Sequence, residues 1–148
     1  MQFTSAVATA ILGFSALAAA GPAARSYETV TVTDVKIVIN ADYKVTDVSL
    51  KLSGDDATDL ACSAKNPVLS YDASASTQCG DSLYSFNLLD SGLSSFQIDV
   101  FHSNNITESG YFSPGQWGQG YLNVECKNQG EGRVCTSTAP SSLFLTGQ

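Results

Sequence analysis

Beyond residue 27 the apolar side chains of this chain fall at every second position, and that period of two restricts the fold to paired strands. Val30 and Val32 share one face while Thr29, Thr31 and Thr33 share the other. Val35, Ile37 and Ile39 continue with the opposite parity, so a bulge or bend is expected near Asp34. Further alternating runs are Val48, Leu50, Leu52; Tyr84, Phe86, Leu88; and Phe96, Ile98, Val100. A strand from Gly120 to Cys126 would turn Leu122, Val124 and Cys126 inward, and a last short one runs from Ser142 to Thr146. Between them lie the turn residues Asn40-Ala41-Asp42, Ser53-Gly54-Asp55-Asp56 and Asp90-Ser91-Gly92, and a Ser-rich loop from Asn66-Pro67 to Ser76. Seven or eight short strands predict an all-β fold, a single compact antiparallel β-barrel or sandwich. No comparable window carries the helical period outside the N-terminal segment.

That segment fixes the expected compartment. Met1 to Ala20 carries no charged side chain, is apolar from Ala6 to Leu17, and ends Ala18-Ala19-Ala20 before Gly21-Pro22. Small residues at that point fit signal-peptidase cleavage, and the apolar stretch is short of the roughly 20 residues a membrane span needs. The expectation is a signal peptide over residues 1–20 and one secreted domain over 21–148. All 14 acidic and all seven basic residues lie in that domain, giving it the whole formal charge of -7. Such a chain offers no cationic surface for nucleic acid or anionic lipid and favours basic partners. Four cysteines in a secreted chain of this size read as two disulfides, with three connectivities open. Sixteen residues separate Cys62 from Cys79 and eight separate Cys126 from Cys135. There is no C-x-x-C pair and His102 is the sole histidine, which argues against tetrahedral zinc.

Two blocks carry a family resemblance. They are Lys51-Leu52-Ser53-Gly54-Asp55-Asp56-Ala57-Thr58-Asp59-Leu60-Ala61-Cys62-Ser63-Ala64 and Cys79-Gly80-Asp81-Ser82-Leu83-Tyr84-Ser85-Phe86. In this wording the chain resembles the major Alternaria allergen family, and within it the branch of secreted fungal elicitors of the plant hypersensitive response. The resemblance covers most of the chain from about Val30 and thins after Trp117. It implies a β-barrel or sandwich with Cys62 paired to Cys79 and Cys126 to Cys135. It implies an effector or elicitor, with allergens among its relatives, that acts on a plant defence protein or receptor, the thaumatin-like class being one candidate. Family members that dimerise covalently use an additional cysteine near the mature N-terminus, which this chain lacks, so a monomer is expected. The interval from Cys126 to Cys135 is shorter than family members usually have there.

Enzyme chemistry has one specific signal. Gly80-Asp81-Ser82-Leu83 spells the nucleophile block of GDSL esterases, and Asp99-Val100-Phe101-His102 fits their D-x-x-H block. Such a hydrolase needs the histidine on the serine hydroxyl and the aspartate on the imidazole. Here Asp99 and His102 on one extended strand point to opposite faces, and no Gly-rich or Asn block supplies oxyanion donors. The esterase using Ser82 and His102 is therefore the weakest reading, and no catalytic residue and no cofactor are expected. His102 reads better as a packed or hydrogen-bonded side chain. Asp55, Asp56 and Asp59 lack EF-hand spacing and a bidentate glutamate, so they read as a solvated acidic turn rather than a metal site.

The segment from Ser103 to Gly120 is the main recognition candidate. It places Tyr111, Phe112 and Trp117 among glycines, and exposed aromatics dominate interface energies. It also contains Asn105-Ile106-Thr107, the one N-glycosylation sequon after residue 20. The functional expectation is a binder whose contacts include Asp55, Asp56, Asp59, Tyr111, Phe112 and Trp117, with a small-ligand carrier as the alternative.

Overall fold

The computed structural model describes residues 27–92, 95–104 and 115–147. They form ten strands: β1 (Tyr27–Ile39), β2 (Val45–Gly54), β3 (Ala57–Lys65), β4 (Thr77–Gln78), β5 (Tyr84–Asp90), β6 (Phe96–His102), β7 (Gln116–Tyr121), β8 (Val124–Gln129), β9 (Gly132–Ser137) and β10 (Ser141–Gly147). One 3-10 turn, Ala73–Ala75, interrupts the loop before β4. Eight strands follow one path, β3-β2-β1-β10-β7-β6-β5-β4, and the β8–β9 hairpin joins it at β1. All pairings are antiparallel. The result is a nearly closed all-β barrel.

The longest strand organises it. β1 slips register against β2 between Thr33 and Lys36, where Asp34 adopts φ 52°. This is the bulge that the parity change predicts, and the extra residue brings Val35, Ile37 and Ile39 inward after Val30 and Val32. The bulge also divides the partners of β1. Tyr27 through Val32 pair with β10, and Lys36 through Ile39 pair with β9. The turn into β2 is closed by Asn40, whose Oδ1 accepts from Asp42 N–H (3.0 Å) and Lys44 N–H (2.9 Å). Asp55 and Asp56 form the tip between β2 and β3, and Asp59 at φ 51° marks a second bulge, its N–H donating to Ser53 Oγ at 3.0 Å.

The barrel interior is filled by the inward rows Val30, Val32, Ile37, Leu52, Phe86, Ile98, Val100 and Leu145, all essentially without solvent contact. Its seam lies between β3 and β4, the two ends of the path. No ladder joins those strands, but Cys62 of β3 is bonded to Cys79, the residue that follows β4. Cys126 and Cys135 face each other across the β8–β9 ladder and are bonded there.

Three expectations need correction. The run Gly120 to Cys126 is not one strand: the chain turns at Leu122 and Asn123, where Val124 N–H donates to Leu122 C=O at 3.0 Å. Leu122 is buried, and Val124 and Cys126 pack against the core from a different strand. Trp117 belongs to β7 rather than to a loop. Two strands, β3 and β9, gave no signal because each buries a single residue, Cys62 or Cys135. The seam bond predicts a hierarchy of stability. Replacing Cys62 and Cys79 by Ala is expected to destabilise the domain by about 3 kcal/mol, or roughly 10 °C in Tm for a domain of this size. Calorimetry measures the loss, and hydrogen exchange should rise in β3 and β4 while the central strand β1 stays protected.

Candidate functional site

The two motif blocks meet at a residue outside both. Glu28 sits on the inward row of β1, in phase with Val30 and Val32, and is 1% exposed. Its Oε1 accepts a hydrogen bond from the Tyr84 hydroxyl of β5 and a second from Asp55 N–H at 2.9 Å. Its Oε2 lies 2.6 Å from His102 Nδ1 at the end of β6. The other ring nitrogen of His102 faces Asp56 Oδ2 at 3.2 Å, and Asp56 N–H donates to the Tyr84 oxygen at 3.3 Å. Both ring nitrogens thus face carboxylate oxygens. The imidazole also stacks on Tyr84, its cross-strand partner, with ring centroids 4.1 Å apart.

The physical logic is that of a buried anion. A carboxylate removed from water is stable only if its lone pairs are taken up by donors or cations. Here a hydroxyl, a backbone amide and an imidazole supply them. Gly54 makes the approach possible: a Cβ there would collide with Glu28 Oε1 and lie 2.7 Å from the Tyr84 oxygen. Burial, reinforced by the bond to Glu28, pushes the Tyr84 phenol far above its ordinary range, so it remains a donor. The network holds the acidic turn by its backbone amides, leaving the side chains of Asp55, Asp56 and Asp59 exposed. The Ser53-Gly54-Asp55-Asp56 turn is therefore a docked turn rather than a simple solvated one. No group of three or more His, Cys, Asp or Glu suited to holding a metal ion occurs among the described residues. Glu28 was missed as a site residue, although its parity with Val30 and Val32 gave the signal: a glutamate in an inward phase needs partners.

The esterase residues do not come together. Ser82 Oγ donates to Cys79 C=O at 2.7 Å and accepts from Tyr84 N–H at 3.1 Å, closing the turn into β5. His102 is engaged by Glu28 and Asp56, while Asp99 accepts from Gln119 Nε2 at 2.9 Å on the opposite face of β6. Asp99 is 2% exposed, and burial raises its pKa. It lies opposite Asn87 in the ladder, and Asn87 Oδ1 is buried with no hydrogen-bond donor among the described residues. Of the recognition candidates, Trp117 is exposed on β7, whereas Asn105, Tyr111 and Phe112 lie outside the described residues, as do residues 1–20.

A profile of the family described as Alternaria alternata allergen 1 matches residues 32–137. Effector protein PevD1 of Verticillium dahliae is 32% identical over 154 residues, an alignment covering 98% of this chain and 94% of that protein. The chain belongs to the Alternaria alternata allergen 1 family. Two crystal structures of the Alternaria alternata allergen Alt a 1 share the fold, each with a TM-score of 0.55 at 15% and 19% identity. They cover 81% and 80% of this chain and 94% and 88% of the allergen chains. This is a family of fungal effector and allergen proteins. Its matched segment contains Gly54, the acidic turn, Tyr84 and His102, and begins after Glu28.

Glu28→Ala is expected to destabilise the fold by roughly 3–5 kcal/mol, because it strands an imidazole, a hydroxyl and an amide. Tyr84→Phe should cost about 1–3 kcal/mol by removing one donor; urea denaturation compares the two. Asp99 behaves in the opposite sense. Its folded pKa is raised, so the native state holds more protons between the unfolded and folded values, and stability falls as pH rises through that interval. Asp99→Asn should raise Tm at pH 7 and leave it little changed at pH 3, since its amide keeps an acceptor for Gln119 and offers a donor toward Asn87. Thermal melts at both pH values check the sign.

Proposed function

We propose that this chain is a secreted fungal effector that binds a protein in the plant apoplast and is perceived there as a trigger of defence or of the hypersensitive response. The observation that carries the reading is its 32% identity with the Verticillium dahliae effector along nearly the whole of both chains. It acts as a monomer by binding rather than by turnover, in keeping with the separate engagements of Ser82, His102 and Asp99. Its partner is a basic plant defence protein or receptor, the thaumatin-like class being the first candidate. The contact surface is the exposed turn of Asp55, Asp56 and Asp59, supported from beneath by Glu28 and Tyr84. Docking the turn through its amides pre-organises the Asp55 and Asp56 side chains, which lowers the ordering cost of binding.

A small-ligand carrier is the second reading. Packed side chains fill the barrel interior, so the observation in its favour is an open cavity of about 380 Å³ outside β1, β2 and β3, lined by Lys36, Val38, Asp47, Ser49, Ser63 and Lys65.

The effector reading predicts electrostatic steering. Association with a basic apoplastic protein should slow as salt rises, because the Debye length falls to about 8 Å at physiological ionic strength. Asp55→Asn, Asp56→Asn and Asp59→Asn combined should slow association about tenfold with little change in Tm. Surface plasmon resonance with purified thaumatin-like protein, alongside leaf infiltration, measures both. A folded triple variant with the wild-type association rate and undiminished leaf response would remove the acidic turn from the interface.

A further inference from the structure

The outward rows of three adjacent strands make a surface unlike the rest of this acidic chain. β1 presents Tyr27, Thr29 and Thr31; β10 presents Ser142, Phe144 and Thr146; β7 presents Trp117, Gln119 and Tyr121. The ladder aligns Tyr27 with Thr146 and Thr146 with Trp117, so one row crosses all three strands. Phe144 stands two residues from Thr146 on the middle strand, opposite Thr29 of β1. The four aromatic rings are open to solvent: Tyr27 71%, Phe144 66%, Tyr121 64% and Trp117 37% exposed. None of these nine outward side chains is charged and none is aliphatic; every one that is not aromatic is a hydroxyl or an amide.

We propose that this face is a binding platform for an extended neutral glycan, a β-linked chain of gluco-configured pyranoses. The composition selects that ligand. Pyranose rings with equatorial substituents present flat C–H faces, which match the electron-rich faces of aromatic rings. Their hydroxyls exchange hydrogen bonds with Thr, Ser and Gln side chains without any ion pairing. Protein-interface cores join their aromatics with Met and Arg, and this face has neither, its remaining side chains being hydroxyls and one amide. The solvent-facing side chains of the patch carry no charge in a chain of net charge -7, the adjacent Asp99 being buried and bonded to Gln119, and such a surface complements an uncharged polymer. Geometry agrees. Strands lie about 4.8 Å apart, so Tyr27 and Trp117 are separated by roughly 10 Å across β10, comparable with the distance between alternate rings of a β-1,4-linked chain. Gly118 keeps β7 tight on β10, since a Cβ there would strike the Phe144 backbone.

Trp117 is the only tryptophan, so the platform reports on itself. Titrating the intact protein with cellohexaose, laminarihexaose and chitohexaose should change Trp117 emission with at least one of them. Pull-down with insoluble cellulose, β-1,3-glucan and chitin then tells a plant wall polymer from a fungal one. Phe144→Ala and Tyr121→Ala should each weaken binding about tenfold, with circular dichroism and Tm unchanged. Tyr43→Ala, an exposed tyrosine on the turn after β1, should have no effect. Unchanged emission with all three oligosaccharides together with no retention on any polymer overturns the proposal. So does a concentration-dependent dimer in sedimentation that Phe144→Ala dissociates, because the face would then seat a second copy of the chain.

Discussion

A carboxylate without water is the interaction on which the rest of this barrel depends. Glu28 draws one ligand from the β2–β3 turn, one from β5 and one from β6, so a single side chain of β1 ties the two halves of the sheet together across the interior. Hydrophobic burial is non-directional and would tolerate small rotations of those strands. Hydrogen bonds to a buried anion do not, because a lost partner leaves the full desolvation penalty unmatched. The consequence reaches the surface. Asp55 and Asp56 are positioned by their backbone amides and Gly54 is kept bare of Cβ, so an acidic, exposed tip is held to the barrel beneath it.

The edges of the sheet pose the second problem. A sheet that does not close by hydrogen bonds exposes two strands to other chains. β4 answers by being two residues long. β3 answers with a bulge at Asp59 and with Lys65 paired to Asp47 of β2, so its free edge is bent and charged. The Cys62–Cys79 bond holds these two ends together. The β8–β9 hairpin has its own bond and takes the edge of β1 beyond the Asp34 bulge, a length that β10 does not reach.

How much of this could be read from the chain depends on whether a residue's environment is set by its own strand. Val30, Val32, Val35, Ile37 and Ile39 declare both the strand and its bulge, because their parity is a local property. β3 and β9 declare nothing: each is fixed by its neighbours and buries one cysteine. The Gly54 and Tyr84 blocks were legible as a family signature, but their physical meaning was not. Their common partner lies 26 residues before Gly54, and only the barrel brings it beneath the turn. The Ser82 and His102 signal misled for a related reason. Short motifs fix which residue types occur, whereas a catalytic set requires contacts, and here Ser82 is engaged by Cys79 and His102 by Glu28 and Asp56.

The alternation of β1 divides the molecule's chemistry between two faces. Inward, Glu28, Val30 and Val32 build the core and anchor the acidic turn; outward, Tyr27, Thr29 and Thr31 build the uncharged platform. Threonine serves both demands, because its branched Cβ suits a strand and its hydroxyl keeps the surface polar without charge. The two surfaces therefore respond to opposite variables. Attraction by Asp55, Asp56 and Asp59 acts over distance and weakens with salt, while contact on Tyr27, Trp117, Tyr121 and Phe144 is short-ranged and nearly indifferent to it. A substitution at Glu28 would disturb the first through the turn it supports. The second is tied to the carboxylate only through the fold as a whole, since Phe144 and Trp117 are held by the β1–β10–β7 ladders.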